Sequence, residues 1–129
     1  MILLDTHVLA WAGEDSRRLS RTAASEIRRA RRGGGLAISA ISLWELSWLL
    51  SRGRIRGLGT VEATLRIMTE GVTILPITPE IAALAAQFPV DYPSDPSDRL
   101  IGATARAEGM TLVTRDERIR RSPLVSTVW

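Results

Sequence analysis

The sequence predicts a three-layer α/β/α sandwich built around a mainly parallel sheet of about five strands. Short apolar runs rich in branched residues alternate with longer stretches in which apolar residues recur at helical spacing. This alternation is typical of β-α units, which place strands side by side and helices on the faces of the sheet. With 129 residues and no repeat, linker or low-complexity tract, residues 1–129 are predicted to form a single domain.

Each predicted element follows from this pattern. The predicted strands are 2–5, 36–40, 72–77, 111–114 and 125–128. The predicted helices are 19–32, 42–52, 60–70, 79–87 and 96–108, with a further helix beginning at Thr6. Three glycines at 33–35 end the first of these five helices, and Gly109 ends the last. Residues 88–96 contain three prolines, which predicts a loop because proline disrupts a helix interior.

The composition excludes several kinds of chemistry. There is no cysteine, which removes disulfides and thiolate catalysis and is consistent with a reducing compartment. All 17 basic residues are arginine, so no lysine is present to form a Schiff base or bind a phosphate. No apolar run approaches membrane-spanning length and no signal peptide is visible, so we expect a cytoplasmic protein. The net charge of +3 indicates a modest attraction to phosphate.

Acidic residues stand where the predicted strands end and helices begin. Asp5 ends the first strand, Glu45 lies in the first turn after the second, Asp116 follows the fourth, and Asp98 begins the helix before it. Ligands of parallel sheets bind at this edge.

Taken singly, each acid has a local explanation as a helix cap. Ser42 and Glu45 have the spacing of a capping box, and so do Thr114 and Glu117. Asp95 precedes a proline in the manner of an N-cap, and the helix dipole favours Asp98.

Capping does not explain why several carboxylates concentrate at one edge, because their charges repel one another. A divalent cation would remove that conflict. Hard oxygen ligands with a single histidine and no cysteine favour Mg²⁺ or Mn²⁺ over zinc, and Mg²⁺ typically also takes phosphate oxygens from its substrate. The pattern therefore indicates metal-dependent phosphodiester chemistry. Phosphoryl-transfer receivers and haloacid-dehalogenase-like phosphatases also use acidic pockets at strand ends, but both usually require a lysine.

Four ordered motifs resemble the PIN domain, and within it the VapC-type toxin ribonucleases of bacterial toxin–antitoxin modules. Residues 4–11 read L-D-T-H-V-L-A-W, similar to D-T-H-x-L-x-W in the family. Residues 38–46 resemble its S-x-x-S-x-W-E segment, residues 95–101 its D-P-F-D-R-x-L segment, and residues 112–116 its L-V-T-x-D segment. The resemblance spans essentially the whole chain. It departs at Ser97, where the family usually has an aromatic residue, and before Asp95, where a histidine-rich approach is common.

The resemblance implies a function and a set of site residues. It implies an endoribonuclease that uses Mg²⁺ or Mn²⁺ and leaves a 5′-phosphate and a 3′-hydroxyl. A homodimer, RNA as substrate and a small VapB-type antitoxin as partner are implied as well. The catalytic and metal-binding acids would be Asp5, Glu45, Asp98 and Asp116, with Thr6 and Thr114 as supporting hydroxyls. A non-catalytic PIN-like binding module is the alternative, although all four acids are present.

Other residues near the motifs suggest contacts with substrate or partner. Arg99 and Arg115 each adjoin a proposed site acid and are expected to meet substrate phosphate. Trp44 and Trp48 are four residues apart and share a helix face, which favours an interface. His7, the only histidine, is more consistent with a packing or supporting role than with catalysis. The remaining arginine clusters are most simply solvated surface charges, with RNA binding as the minority interpretation.

Overall fold

The computed structural model describes residues 1–129 and has a five-stranded sheet in which every neighbouring pair of strands is parallel. The strands are β1 (Ile2–Leu4), β2 (Leu36–Ser39), β3 (Val72–Leu75), β4 (Leu112–Val113) and β5 (Thr127–Val128). Their spatial order is β3-β2-β1-β4-β5. The five predicted strands and the parallel sheet are therefore confirmed, although the predicted strands were one to a few residues too long.

Seven helices surround this sheet. They are α1 (Thr6–Glu14), α2 (Arg21–Arg32), α3 (Ala40–Ser51), α4 (Val61–Met68), α5 (Pro79–Gln87), α6 (Pro96–Glu108) and α7 (Glu117–Arg120). The six longer helices correspond to those predicted. The short α7 was not predicted, because a single turn carries no helical periodicity. Gly109 ends α6 as expected, in the left-handed conformation (φ 65°) that glycine adopts without steric cost. No helix is both long and apolar enough to cross a membrane.

The strands divide their side chains between two cores, one on each face of the sheet. Leu3 and Leu112 belong to a core covered by α5, α6 and α7, whereas their neighbours Leu4 and Val113 belong to a core covered by α1, α2 and α3. Successive residues of a strand point to opposite faces, so buried strands in the middle layer must be apolar throughout. All four of these leucine and valine side chains are fully buried. The three-layer sandwich is thereby confirmed.

Both predicted capping boxes are wrong in detail. Ser39, rather than Ser42, caps α3, and its hydroxyl accepts the N–H of Ile41 at 3.4 Å. Likewise Asp116, rather than Thr114, caps α7. In both cases the helix begins at a different residue than the spacing suggested, because another side chain satisfies its first N–H groups. Ser42 and Thr114 are completely buried instead, which leaves their hydroxyls available for contacts between elements.

The loop before α6 contains a core residue that the proline-rich sequence did not reveal. Tyr92 is 1% exposed and packs edge-on against Phe88, with ring centroids 4.7 Å apart. Its hydroxyl donates to the backbone carbonyl of Asp98 at 3.3 Å. A Cβ on Gly102, one turn further along α6, would overlap the Tyr92 hydroxyl. Tyr92 thus fixes the N-terminal turn of α6, which carries Asp98, against the body of the protein.

Candidate active site

A pocket of about 470 Å³ opens at the carboxyl edge of the central strands and collects all four predicted acids. Asp5 follows β1, Asp116 follows β4, Glu45 lies on α3 after β2, and Asp98 lies in the first turn of α6. The lining comprises Asp5, His7, Val8, Trp11, Glu45, Asp95, Asp98, Arg115 and Asp116. Parallel strands end at one edge, so residues distant in sequence meet there. Asp95, which the sequence identified only as a helix cap, contributes a fifth carboxylate.

Thr6 and Thr114 hold the side chains of Asp5 and Glu45 by hydrogen bonds. The Thr114 hydroxyl donates to Oδ2 of Asp5 at 2.7 Å, and the backbone N–H of Thr6 donates to Oδ1 at 2.8 Å. The Thr6 hydroxyl donates to Oε1 of Glu45 at 2.6 Å and lies 2.8 Å from the hydroxyl of Ser42. Both threonines are fully buried, so these bonds form away from competing water. They orient Asp5 and Glu45 toward the pocket.

The remaining acids are oriented by the helices that they cap or begin. Oδ1 of Asp116 accepts the N–H groups of Arg118 and Ile119 at 2.9 and 3.1 Å, and the Asp116 N–H donates to the Thr114 hydroxyl at 3.1 Å. The side chain of Asp95 accepts the N–H of Asp98 at 3.1 Å. The predicted Asp95 cap is therefore confirmed. Capping occupies only one oxygen of Asp116, so capping and a role in the pocket are compatible.

Burial and mutual repulsion disfavour ionisation of three of these acids. Burial, followed by repulsion from Asp5 and then from Asp95, Asp116 and Glu45, raises the pKa of Asp98 to about 7. Burial also raises the pKa of Asp5, even though the hydrogen bonds from Thr114 and Thr6 oppose that shift. The pKa of Glu45 is raised by burial too, against the opposing hydrogen bond from Thr6. Concentrating these carboxylates is therefore costly without a cation.

The donor chemistry of the pocket suits a hard cation, but the side chains do not form a complete metal cage. No three carboxylate or histidine side chains stand together in the arrangement of a preformed metal site. Mg²⁺ usually keeps several waters and takes only one or two protein carboxylates together with substrate phosphate. A pocket lined by five carboxylates, with a single histidine at its mouth, fits an ion held in that way.

The two arginines expected to meet substrate have different environments. Arg115 lines the acidic pocket, as its position beside Asp116 suggested. Arg99 does not: its guanidinium donates to the carbonyl oxygens of Ala85, Phe88 and Pro89 at 2.8–3.1 Å. One residue along a helix turns a side chain by about 100°, so Arg99 points away from the pocket that Asp98 faces. The Arg99 guanidinium therefore joins α6 to the end of α5 and does not line the acidic pocket.

Comparison with solved structures places the fold among known α/β/α proteins. VapBC2 from Rickettsia felis, bound to a DNA fragment from its promoter, aligns with a TM-score of 0.76 at 20% identity, covering 99% of this chain and 98% of that chain. A toxin–antitoxin complex from Klebsiella pneumoniae aligns with a TM-score of 0.70 at 22% identity, covering 100% and 97%. The fold and the acidic pocket at the strand ends place this chain in the class of small parallel α/β/α proteins with a carboxylate site.

Comparison of sequences identifies the family within that class. The PIN domain profile matches residues 2–123. Ribonuclease VapC22 from Mycobacterium tuberculosis is 43% identical over 130 aligned residues, which cover 99% of this chain and 98% of that protein. The chain belongs to the PIN-domain family, as its four motifs suggested.

Proposed function

We propose that this protein is a metal-dependent endoribonuclease and the toxin of a toxin–antitoxin module. The observation that carries the proposal is the convergence of Asp5, Glu45, Asp98 and Asp116 in one pocket of a chain 43% identical to a ribonuclease over nearly its whole length. The match covers 99% of this chain, so the aligned region spans all four acids. The substrate is RNA, and the site of action is the cytoplasm.

The four acids would hold Mg²⁺ or Mn²⁺ together with water and a substrate phosphate. Bound there, the ion supplies positive charge that favours deprotonation of an attacking water and stabilises the pentacoordinate phosphorus. The new bond joins the water oxygen to phosphorus, and the bond from phosphorus to the 3′-oxygen breaks. A pocket carboxylate accepts one proton from the water, and a protonated pocket acid returns one proton to the departing 3′-oxygen, which leaves as a hydroxyl. The products carry a 5′-phosphate and a 3′-hydroxyl.

The decisive experiment combines cleavage assays with matched acid variants. Asp5→Asn, Glu45→Gln and Asp98→Asn should each abolish cleavage of total RNA and relieve growth inhibition on expression, while circular dichroism shows a folded protein. Asp91→Asn is the control, because Asp91 is an exposed acid in the same loop region but does not line the pocket. A pocket variant that cleaves RNA as fast as Asp91→Asn would remove that acid from the site.

An antitoxin partner and a homodimer complete the proposal. The solved complex from Klebsiella pneumoniae supports the partner, since it joins a similar fold to an antitoxin. Exposed tryptophans on α3 support the dimer: Trp44 is 61% and Trp48 is 43% exposed, and such apolar area favours burial in an interface. Light scattering should therefore give a dimer at micromolar concentration and a monomer for the Trp44→Gln/Trp48→Gln double variant. A monomeric wild type would refute the dimer.

A further inference from the structure

The indole of Trp11 stands at the mouth of the acidic pocket and gathers side chains from three parts of the chain. Trp11 lines the pocket and is partly exposed. His7, one turn earlier on α1, lies with its ring centroid 5.8 Å from the indole. Trp129, at the end of the chain, meets the indole edge-on at 6.1 Å. Trp129 also packs against the core covered by α1, α2 and α3, whereas Trp11 belongs to neither core and borders the site where RNA would be cleaved.

Two guanidinium groups lie over the same indole. The Cζ atom of Arg18 is 4.8 Å from the ring centroid of Trp11, and that of Arg115 is 5.9 Å away. Arg18 follows α1, whereas Arg115 follows β4 nearly a hundred residues later. Cations within about 6 Å of an aromatic centroid are attracted to the ring by its quadrupole. Trp11 thus brings together two arginines that the sequence keeps far apart.

Neither of these arginines has an anionic partner within the protein. The ion pairs join Arg17 to Asp15, Arg29 to Glu26 and Arg66 to Glu62. Arg18 and Arg115 donate no side-chain hydrogen bond, although Arg115 lines a pocket rich in carboxylates. A guanidinium that stacks on an aromatic face keeps its N–H groups, which lie in its own plane, free to bind a phosphate in bidentate fashion.

The negative charge of the pocket indicates a role for the free N–H groups of Arg18 and Arg115. Five carboxylates repel the phosphates that flank the cleavage point, and an ion in the pocket offsets this repulsion only locally. Cations on the rim would attract the flanking backbone and hold it in register. Guanidinium groups attracted to an indole are suited to this role because the contact restricts their side chains, which reduces the entropy lost on binding.

We propose that Trp11 positions Arg18 and Arg115 as a phosphate-binding subsite, which holds the RNA backbone next to the phosphodiester that is cleaved. This inference rests on the proposed function, because it takes RNA to be the substrate. Arg18 and Arg115 each contact backbone phosphate, and Trp11 acts through them as a positioning residue.

The salt dependence of RNA binding tests the two arginines. In an Asp98→Asn background, which prevents cleavage, fluorescence anisotropy measures binding of a single-stranded RNA oligonucleotide at constant Mg²⁺ and increasing NaCl. Each lost phosphate contact should make the slope of log K against log salt shallower by about 0.7. Arg18→Gln and Arg115→Gln should each show this change. Arg17→Gln removes the same charge next to Arg18 from a guanidinium already paired with Asp15, and it should retain the parental slope.

Variants of the tryptophans separate positioning from simple stabilisation. Trp11→Leu removes the aromatic face, so it should lower affinity and raise KM for RNA with kcat unchanged, as expected for lost uniform binding. Trp11→Phe keeps a face and should restore most of the binding. Trp129→Leu removes the edge contact with Trp11 and part of the packing against the core, so it is expected to lower the melting temperature without changing the salt slope. If Trp11→Leu and Trp129→Leu behave alike in binding, the positioning role is refuted.

The outcomes distinguish this inference from the proposed function. If the wild type cleaves RNA while Arg18→Gln and Arg115→Gln keep the slope of Arg17→Gln, the subsite is refuted and the nuclease stands. If the wild type does not cleave RNA but the slope falls only for these two variants, the subsite stands and the nuclease does not. Unchanged slopes together with absent cleavage would overturn both.

Discussion

At the scale of single residues, two buried hydroxyls connect the acids of the pocket. Thr114, which follows β4, bonds to Asp5, which follows β1, and Thr6 bonds to Glu45 on α3. Each bond crosses from one element to another, so the positions of the carboxylates depend on groups that touch no substrate. Groups that orient ligands in this way commonly influence a site almost as strongly as the ligands themselves.

Thr114→Val should reduce RNA cleavage by about 10–100-fold, because it removes the donor to Asp5 and the acceptor for the Asp116 N–H while keeping the shape of the side chain. Thr104→Val is the matched control. Thr104 is equally buried, but its hydroxyl bonds only to the Leu100 carbonyl within α6. Steady-state cleavage and urea unfolding of both variants provide the comparison. Equal losses of activity would show that Thr114 affects the site only through general stability.

The raised pKa of Asp98 predicts how the stability of the metal-free protein depends on pH. The folded state holds this proton up to about pH 7, whereas the unfolded chain releases it near pH 4, so the folded state binds more protons between those values. The contribution of Asp98 to the free energy of unfolding is therefore largest below about pH 4. It is lost progressively as the pH rises toward 7.

Asp98→Asn removes this titration. In excess chelator, its stability relative to wild type should increase from about pH 4.5 to about pH 7.5 and then level off. Urea unfolding at several pH values measures the difference, with Asp91→Asn as the control for an exposed acid. A difference that stays constant across this range would contradict the assigned burial and repulsion.

At the scale of elements, the position of α6 determines where Asp98 lies. Tyr92 fills the space that a side chain at position 102 would need, and Arg99 ties α6 to the carbonyls at the end of α5. Both contacts lie in or beside residues 88–96, which the sequence predicted only to be a loop. The proline-rich loop therefore works as a packed support for the first turn of α6.

Gly102→Ala should destabilise the protein by about 1–3 kcal/mol, since the new methyl group overlaps Tyr92 in a filled core. Gly13→Ala on α1 is the matched control. A Cβ there meets nothing within 4 Å, so replacing a helical glycine by alanine should be neutral or stabilising by about 0.5–1 kcal/mol. Urea unfolding measures both changes. Tyr92→Phe in the Gly102→Ala background should recover part of the loss, and no recovery would argue against the proposed overlap.

At the scale of the whole molecule, the topology places the acids together and makes their repulsion a property of the folded state. The strand order puts β1 between β2 and β4, so the segments that follow these three strands surround one pocket. The unfolded chain keeps the same carboxylates far apart. A cation that binds only the folded pocket therefore stabilises the protein as a whole.

Mn²⁺ at about a hundred times its Kd should add about 2.7 kcal/mol to the free energy of unfolding of the wild type. Asp98→Asn should melt at a higher temperature than the wild type in chelator and respond less to Mn²⁺. Thermal unfolding of both proteins, with chelator and with millimolar Mn²⁺, is measured beside RNA cleavage in the same buffers. If the wild type melts at one temperature in both buffers and cleaves RNA in excess chelator, metal-dependent catalysis is refuted.

The sequence by itself determined the class of fold and the identities of four of the five pocket acids. Hydrophobic periodicity is a local property, because a strand or helix must bury its own apolar side, so the five strands and six longer helices could be predicted. Asp5 and Asp116 could be located because each follows a strand, and Asp98 because it lies in the first turn of a helix. Glu45 could be located because it lies in the helix that follows β2. Their catalytic and metal-binding roles remain proposals.

Only the tertiary structure decided which of these residues meet and which neighbours hold them. Thr114 and Asp5 are 109 residues apart, and no local pattern encodes a hydrogen bond between them. The burial of Tyr92, the turning of Arg99 away from the pocket, and the gathering of two arginines on Trp11 likewise depend on where distant elements pack. Periodicity specifies which side of an element faces inward. The contacts on that side are set by the order and register of the strands in the sheet.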